Sequence, residues 1–397
     1  MTTGTNVPGL GGFNRNLILE HIRRASGGIS RVDLAAANGL TRQAVSNIVR
    51  RLIDDGLVEE FAQAPSRGGK PATLLRINPS TCFAAGVHID PQETVFVITD
   101  FNGRVVTQAV EPTSVAQDPD EAIAGIAATL DRLIADSDVP AERVLGVGVA
   151  CPGPIDPQHG LVVTPPNLPG WTTVPLLQRL GDHVTMPVVV ENDATAAVIA
   201  EHWSSSADQT GSFVAIYVGT GIGAGVVMDN RVVRGVSGNA GEAGHIVVES
   251  NGRACFCGNR GCVEAYASPS AIVQHYRERT TRDPAEGFSY VDLCRLATGG
   301  DQAAMRSLHQ GIAWLADAAV SLVNVLDVNE LVLCGKSLHT VENVYAEIID
   351  HAVNTRTIGR TLRPVNVRIS GLGELVGATG AACLILDTHY APRFSAT

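Results

Sequence analysis

Residues 241–264, GEAGHIVVESNGRACFCGNRGCVE, carry the most informative motif for the fold of this chain. One histidine precedes three closely spaced cysteines there: His245, Cys255, Cys257 and Cys262. Three thiolates and one imidazole supply the four soft or borderline ligands that a tetrahedral zinc ion requires. Because all four come from the protein and no coordination position stays open for water, we expect one structural Zn²⁺ per chain.

The alternative for the same cysteines is a set of metal-free structural thiols. The chain has eight cysteines, and three of them crowd into this one stretch, where unligated thiols would be prone to oxidation. Residues 1–12 carry neither the basic patch nor the apolar run of an export signal, so a cytoplasmic location is expected. In that reducing compartment, clustered cysteines favour a metal site over disulfides.

Charge is divided unevenly along the chain. The net charge is −11 over 397 residues, but residues 1–80 hold 10 Lys and Arg against 6 Asp and Glu, whereas residues 81–397 hold 19 against 34. This asymmetry is typical of a basic, phosphate-seeking module attached to an acidic body. Glycine, proline or charge interrupts every apolar run before it reaches the roughly 20 residues of a membrane span, so no membrane partner is expected.

The first 80 residues carry the periodicity of three helices and a wing. Apolar residues at helical spacing predict a first helix over 14–25. Ser30 is the predicted N-cap of a short second helix, and Thr41 that of a third. Strand-like runs at 57–61 and 73–77 then flank a basic, glycine-rich tip. The pattern predicts a winged helix-turn-helix.

The third predicted helix has a polar face that suits DNA. Five side chains able to bond phosphates or base edges share this face, and two cations lie at the wing tip. The predicted DNA-binding residues are Arg42, Gln43, Ser46, Asn47, Arg50, Arg67 and Lys70. A face that merely meets water is the alternative, but the basic wing and the charge asymmetry favour DNA. Since one module contacts only a half-site, a homodimer or higher homo-oligomer on a roughly palindromic operator is expected.

Beyond Asn78-Pro79 the sequence mixes strands and helices. Strands are predicted over 84–99, 103–108 and 144–150, and a helix over 120–135. Strand pairs mixed with helices recur after residue 210. The repetition predicts two related α/β lobes that face a cleft, with the ligand between them.

A glycine-rich loop at 218–225 follows a predicted strand. Backbone N–H groups in such a loop can cradle a phosphate, but a plain hairpin turn produces the same composition, and the sequence leaves both interpretations open. Side chains that could hold a hydroxyl-rich ligand occur at Asn167, Glu191-Asn192-Asp193, Glu242 and Glu264. An aspartate among them could act as a general base toward a hydroxyl. Any one of them could equally be an ordinary cap or surface group.

Together these motifs resemble the ROK family, named for repressors, open reading frames and kinases. The resemblance runs from Asn14-Arg15 to residues 377–382, and its most specific pieces are Gly241-Glu242-Ala243-Gly244-His245 and Cys255-x-Cys257-Gly258-x-x-Gly261-Cys262-x-Glu264. It implies an actin/hexokinase-like, two-lobed α/β fold behind the winged helix-turn-helix, and a zinc ion that orders a sugar pocket. It also implies sugar contacts from Asn167, Asn192, Asp193, Glu242, His245 and Glu264. Asp193 matches the catalytic base of the family's kinases.

Three parts of the chain follow from this organisation. Residues 1–80 are expected to form the winged helix-turn-helix. Residues 81–200 together with 376–397 are expected to form a smaller α/β lobe, and residues 201–375 a larger α/β lobe that bears the zinc site.

The chain departs from the kinase members of that family at their first phosphate loop. Those members have Asp-x-Gly-Gly-Thr, and this chain has Asp90-Pro91-Gln92-Glu93-Thr94. Proline donates no N–H, and Glu93 adds negative charge near a triphosphate whose charge phosphoryl transfer must stabilise. Residues 331–337 likewise hold one glycine where the kinases usually have a run. We therefore expect no enzyme activity.

The sequence thus predicts a sugar-responsive transcriptional regulator of carbohydrate-metabolism genes, more often a repressor in this family, whose effector is a sugar or sugar phosphate. The sugar signal is expected to cross to the DNA near Asn78-Pro79. Two alternatives stay open: an active ATP-dependent sugar kinase that also binds DNA, and a regulator without a sugar ligand that answers to a protein partner.

Overall fold

The structure is a computed structural model that describes residues 11–64, 71–113, 118–205, 211–280 and 286–392. The predicted wing-tip cations Arg67 and Lys70 lie outside the described residues. The first module consists of α1 (Gly11–Arg24), β1 (Ile29–Ser30), α2 (Arg31–Asn38), α3 (Arg42–Asp54), β2 (Val58–Gln63) and β3 (Thr73–Ile77). The three predicted helices and the two wing strands are confirmed.

Local capping explains where the helices of this module begin and end. The Ser30 hydroxyl accepts the backbone N–H of Asp33 at 3.2 Å, and Thr41 Oγ1 accepts the N–H of Ala44 at 3.2 Å. Both predicted N-caps are therefore confirmed. Gly39 ends α2 with a φ of 64°, a left-handed conformation that glycine adopts without steric cost. The resulting tight turn sets the direction of α3.

The wing is an antiparallel sheet in the order β1-β3-β2. Strand β1 was not predicted, because two residues are too few for a periodicity to show. The apolar sides of α1 and α3 pack on this sheet, and their core residues are fully buried. They include Ile18, Ile22, Val45, Val49 and Leu75.

The next part of the chain forms β4 (Phe83–Ile89), β5 (Glu93–Asp100), β6 (Val105–Pro112), α4 (Pro119–Ala135), β7 (Val144–Cys151), β8 (Ile155–Asp156), β9 (Leu161–Val163), β10 (Thr173–Pro175), α5 (Leu176–Gly181), β11 (Val188–Asn192) and α6 (Asp193–Ser204). The prediction of one strand over 84–99 is wrong. A tight turn divides this run into antiparallel β4 and β5, because Asp90 Oδ1 accepts the N–H of Gln92 at 2.9 Å. The proline and the polar residues at 90–93 mark this turn in the sequence, and the prediction of a single strand overlooked them.

The last part forms β12 (Phe213–Val218), β13 (Ile222–Met228), β14 (Arg231–Val232), α7 (Glu264–Ala267), α8 (Pro269–Arg279), α9 (Tyr290–Thr298), α10 (Gln302–Leu326), β15 (Glu330–Cys334), α11 (Glu342–Arg356), β16 (Asn366–Ile369) and α12 (Val376–Tyr390). Within the described residues, no helix combines the length and the apolar character needed to cross a membrane.

Two five-stranded sheets share one topology. Their orders are β11-β7-β4-β5-β6 and β16-β15-β12-β13-β14. In each, three sequential antiparallel strands are followed by two strands that join the sheet in parallel. The matching order confirms the two related α/β lobes that the repeated pattern predicts.

Helices α6 and α12 pack against each other between the sheets, with α12 on β4 and β7 and α6 on β12 and β13. Glycine allows this close approach. A Cβ on Gly148 would lie 1.8 Å from the carbonyl oxygen of Ala381, and a Cβ on Gly380 would lie 1.8 Å from that of Ala196. One apolar cluster continues from α1 and α3 into α12, so the winged module and the body share a core.

Candidate functional site

Four side chains with metal-binding atoms converge beside the second sheet. One ligand atom from each of the four lies within 4.8 Å of all the others. The four residues are His245, Cys255, Cys257 and Cys262. They are the set predicted as metal ligands, and the structure brings them together as a cluster able to bind a metal ion.

The spacing within this cluster suits a tetrahedral ion. Metal bonds of about 2.3 Å to sulfur and about 2.0 Å to nitrogen place two sulfurs about 3.8 Å apart and a sulfur and a nitrogen about 3.5 Å apart in a tetrahedron. Cys257 Sγ lies 3.8 Å from Cys262 Sγ, and Cys255 Sγ lies 3.6 Å from His245 Nδ1. The donor set and these two distances are compatible with zinc.

Glycine shapes the backbone that presents the cysteines. Gly258 and Gly261 have φ values of 91° and 78°, which residues with a Cβ adopt only under strain. A Cβ on Gly261 would also lie 1.8 Å from the carbonyl oxygen of Glu249. A bridge between Val247 and Cys262 closes the loop. Glycine at these two positions therefore allows the tight path of the segment that carries the cysteines.

Two carboxyl groups near the metal cluster have raised pKa values. Glu264 accepts the N–H of Ile222 at 2.8 Å. Burial raises the pKa of Glu264 to about 7, and the negative charges of Glu242 and Asp193 act in the same direction. Burial likewise raises the pKa of Asp193 to about 7, with Asp90 and Glu242 adding to the effect. Since charges act on a pKa mainly over short distances, these carboxyls lie near one another.

The amino terminus of α6 holds two of the predicted sugar contacts. Asn192 caps the helix, since its Oδ1 accepts the N–H groups of Ala194 at 2.9 Å and Thr195 at 3.3 Å. Asp193 Oδ1 accepts the same Ala194 N–H at 2.8 Å. The cap employs the amide oxygen of Asn192, so its Nδ2 is the group directed elsewhere.

Gly153 lies where three polar side chains meet. A Cβ placed on it would be 3.0 Å from Asn192 Nδ2 and 3.7 Å from both Asn239 Oδ1 and Glu242 Oε1. Asn239 is fixed by two hydrogen bonds of 2.9 Å to the backbone of Ile155. Sequence reasoning missed Asn239, whose surroundings at 235–241 indicate only a turn-rich loop. The structure adds it to the polar group formed by Asn192 and Glu242.

The structure does not bond Asn167 to this group. Asn167 is exposed, in a turn closed by the N–H of Leu168 and the carbonyl of Pro165 at 3.4 Å, and its φ is 63°. Within the described residues it makes no hydrogen bond to the other five predicted sugar contacts. His245 does lie beside one of them, with its Nε2 4.0 Å from Glu242 Oε2.

A lysine occupies the turn that replaces the kinase phosphate loop. Lys336 Nζ donates to Asp90 Oδ1 at 2.5 Å and to Gln92 Oε1 at 3.1 Å, and Glu93 Oε1 lies 3.9 Å away. The Thr220 hydroxyl donates to the other Asp90 oxygen at 2.7 Å. Burial acts to raise the pKa of Asp90. The charge of Lys336 and the hydrogen bonds from Lys336, the Gln92 backbone N–H and the Thr220 hydroxyl outweigh burial, and they lower the pKa below its ordinary value. Sequence reasoning noted the missing glycines but not this lysine.

The glycine-rich loop at 218–225 is the tip of the β12–β13 hairpin. The Gly219 N–H donates to the carbonyl of Gly221 at 3.0 Å, and the Ser337 hydroxyl donates to the carbonyl of Gly219 at 2.8 Å. The hairpin turn is thus present, and phosphate binding by its backbone N–H groups stays a prediction.

The polar face of α3 is organised around one asparagine. Asn47 Oδ1 accepts from Gln43 Nε2 at 3.4 Å and from Arg50 Nη2 at 2.5 Å. Gln43, Arg50 and Arg42 are exposed, whereas Ser46 and Asn47 are half-buried. The opposite side of α3 is buried in the module's core, so the predicted DNA-binding residues of this helix share its solvent side.

The fold and site together define a class of protein. Two matched α/β lobes carry a group of carboxylates and a His/Cys₃ cluster, and a winged helix-turn-helix precedes them. This is an actin/hexokinase-like body joined to a DNA-binding type of module.

Within that class, the chain belongs to the ROK family. The model of this family matches residues 84–388, and the MarR family model matches the winged helix over residues 17–68. The chain is 26% identical to the xylose repressor of Bacillus subtilis over 374 residues, 94% of this chain and 95% of that protein.

Two solved structures show the same relationship. A ROK family transcriptional regulator described as a homolog of the E. coli MLC protein has a TM-score of 0.77 at 25% identity, covering 96% of this chain and 97% of its own. A ROK family glucokinase from Streptomyces griseus, solved with glucose and AMPPNP, has a TM-score of 0.68 at 27% identity, covering 76% of this chain and 98% of its own. Repressors and kinases both occur among the relatives.

Proposed function

We propose that this protein is a sugar-responsive repressor of carbohydrate-metabolism genes. In this proposal residues 1–80 bind the operator, and the lobes at 81–200 with 376–397 and at 201–375 hold the sugar. The observation that supports it best is the Lys336–Asp90 ion pair. In this pair Lys336 occupies the turn that a kinase would use to bind phosphate. The core of the same body continues into the winged helix.

The sugar is held by the polar groups that converge at the start of α6. A sugar hydroxyl both donates and accepts hydrogen bonds, so it needs amides and carboxylates side by side. Asn192, Asn239 and Glu242 surround Gly153 in this way, and Asp193 and Glu264 extend the carboxylate side. Asn167 and His245 complete the set. Similarity to a xylose repressor makes D-xylose the first sugar to test.

The metal is zinc, one ion per chain, with a structural role. Its four ligands anchor the segment 241–264, which also bears Glu242 and Glu264. Bound zinc neutralises the thiolates, fixes this segment and thereby keeps the two carboxylates at the cleft.

Operator binding is assigned to Arg42, Gln43, Ser46, Asn47 and Arg50 on α3, with Arg67 and Lys70 at the wing tip. Bonds from Gln43 and Arg50 to Asn47 restrict these side chains before DNA arrives, which reduces the entropy lost on binding. The protein acts as a homodimer on a roughly palindromic operator, in the cytoplasm where that operator lies.

Repression is relieved by linkage between the two ligands. If sugar prefers one arrangement of the lobes and DNA prefers another, each weakens the other by the same factor. The test is a titration of D-xylose, D-glucose and N-acetylglucosamine into a complex of the protein with a duplex recovered by in vitro selection. A sugar that binds should release the DNA. Operator affinity that no bound sugar changes would contradict the proposal.

A second candidate function, ATP-dependent sugar kinase, is favoured by one observation. Asp193 sits at the position of the family's catalytic base, and its pKa of about 7 suits a general base. Against it stands the Lys336 ammonium, which holds the phosphate-loop turn in internal hydrogen bonds. A coupled assay of ATP consumption with the same three sugars separates the two functions, since sustained sugar-dependent turnover supports the kinase.

A further inference from the structure

Helix α6 begins at the candidate sugar site and ends at the DNA-binding module. Asn192 and Asp193 form its amino terminus, and Trp203 lies in its last turn. Its 12 residues span about 18 Å at 1.5 Å per residue. One helix therefore reaches from the candidate sugar site to α1 of the winged module.

The middle of α6 is packed so tightly that the helix must move as a unit. All ten residues from 194 to 203 are buried. A Cβ on Gly225 of β13 would lie 2.6 Å from the Ala194 carbonyl oxygen, and one on Gly380 of α12 would lie 1.8 Å from the Ala196 carbonyl oxygen. Backbones in such contact leave no room for a local bend, because cores packed to this density transmit displacement.

The carboxyl end of α6 meets a side chain of the winged module. The Arg23 guanidinium of α1 lies over the Trp203 ring, 4.2 Å from its centroid, and donates a hydrogen bond to the Trp203 carbonyl oxygen. The Trp203 indole N–H donates to the Phe101 carbonyl oxygen at 3.4 Å. Trp203 is 5% exposed. The contact thus joins a buried indole to a half-buried guanidinium in a defined geometry.

Helix α1 connects this contact to the DNA-binding face. Ile18, Leu19 and Ile22 on α1 share one core with Val45 and Val49 on α3. A shift of α1 at Arg23 is therefore a shift of the helix on which α3 rests. From the sequence, the sugar signal is expected to pass through the covalent link near Asn78-Pro79. The Arg23–Trp203 contact is a second connection between the body and the winged module.

We propose that α6 is the element that couples the two sites: sugar contacts at Asn192 and Asp193 displace α6, and the Trp203–Arg23 contact passes this displacement to α1 and α3. The inference rests on the proposed function, because it assumes that sugar alters operator affinity. It assigns to Arg23 and Trp203 a positioning role, without contact to sugar or DNA.

The test compares Arg23→Met with Arg15→Met. Both residues lie on α1, but Arg15 pairs with Asp55 inside the winged module at 2.9 Å. Operator affinity is measured by fluorescence anisotropy with and without saturating D-xylose, D-glucose or N-acetylglucosamine. In the wild type and in Arg15→Met, the effective sugar should weaken operator binding by about 5-fold or more, the usual lower bound of such couplings. In Arg23→Met the factor should fall below about 2, with sugar affinity within about 3-fold of wild type.

The outcomes separate two failures. A wild type that binds sugar without any change in operator affinity overturns the proposed function. A wild type that couples while Arg23→Met couples equally well, or while Arg15→Met also loses coupling, overturns only the role of this contact.

Hydrogen exchange on the wild type keeps the inference testable if Arg23→Met does not fold. The effective sugar should change protection in residues 193–204 and 11–24 together. Sugar-induced release of the operator without a change in these two helices would overturn the inference.

Discussion

Lys336 and Asp90, 246 positions apart in the sequence, form an ion pair of 2.5 Å that joins the second sheet to the first. The Asp90 side chain is 5% exposed and that of Lys336 is 14% exposed. Removing one member of such a pair leaves the other charge buried without compensation, which costs far more than the loss of a surface pair.

Lys336→Met should destabilise the protein clearly. The expected loss lies toward the lower end of about 3–5 kcal/mol, because Lys336 keeps some contact with solvent. Arg132→Met is the control, since its pair with Glu111 is exposed and should contribute about 0–1 kcal/mol. The thermal unfolding midpoints of both variants and the wild type, measured under the same conditions, make the comparison. Equal midpoints for the two variants would contradict the assigned role of the pair.

Cys262→Ser should release the metal. Purified wild-type protein is expected to contain one zinc per chain by mass spectrometry of the metal, and the variant at least about tenfold less, because a neutral hydroxyl replaces a thiolate ligand. Cys294→Ser, a buried cysteine on α9 outside the cluster, should keep its zinc. The loss should also weaken sugar binding through Glu264. Wild-type protein without zinc would refute the metal assignment.

Arg50→Ala should weaken operator binding and leave sugar affinity unchanged. A side chain that contacts a base edge contributes about 1–3 kcal/mol, so the dissociation constant for the selected duplex should rise accordingly. Arg295→Ala removes an exposed arginine of the second lobe and serves as the matched control. If both variants bind the duplex like the wild type, the DNA-binding face of α3 is misassigned.

Asp193→Asn should raise the thermal unfolding midpoint more at pH 8 than at pH 5. The pKa of Asp193 in the folded protein, about 7, exceeds its ordinary value of 3.8, so folding favours the protonated carboxyl. The stability that the neutral acid contributes is complete below the unfolded pKa and is lost as pH rises through about 7. The asparagine amide stays neutral throughout.

Asp193→Asn should also bind sugar more weakly than the wild type. This result distinguishes a carboxylate that contacts sugar from one whose burial only destabilises the fold. Asp131→Asn, an exposed residue of α4, is the control for general effects of removing a carboxylate. A midpoint shift of Asp193→Asn that is equal at both pH values would show that burial does not favour its protonated form.

Features encoded within a few residues were predictable from the sequence. The N-caps at Ser30 and Thr41 depend on hydrogen bonds that span three residues. The metal cluster depends mainly on three cysteines within eight positions. At this spacing the thiolates are close together in most conformations of the backbone. The winged helix and the repeated lobes were predicted from the spacing of apolar residues, which can be read from the sequence without knowledge of the tertiary contacts.

Other features were not predicted correctly from the sequence. The turn at Asp90–Gln92 does carry a signal in the sequence, since a proline and three polar residues occupy 90–93. The prediction of one strand over 84–99 treated these residues only as an altered phosphate loop and overlooked the turn. Asn239 enters the polar group around Gly153 only because a loop from the second lobe bonds to Ile155 of the first. Asn167 shows the converse, since the family resemblance assigns it to sugar and the structure gives it no bond to the other contacts.

The parts of this protein are encoded in local stretches of the sequence: a basic winged helix, two α/β lobes, a set of metal ligands and a phosphate loop without its glycines. The contacts that connect these parts arise from tertiary packing. Lys336 reaches Asp90 across 246 positions, and Arg23 reaches Trp203 across 180. No local pattern marks such pairs, because each forms only when separately encoded elements pack together, and their free energy depends on the burial that this packing creates.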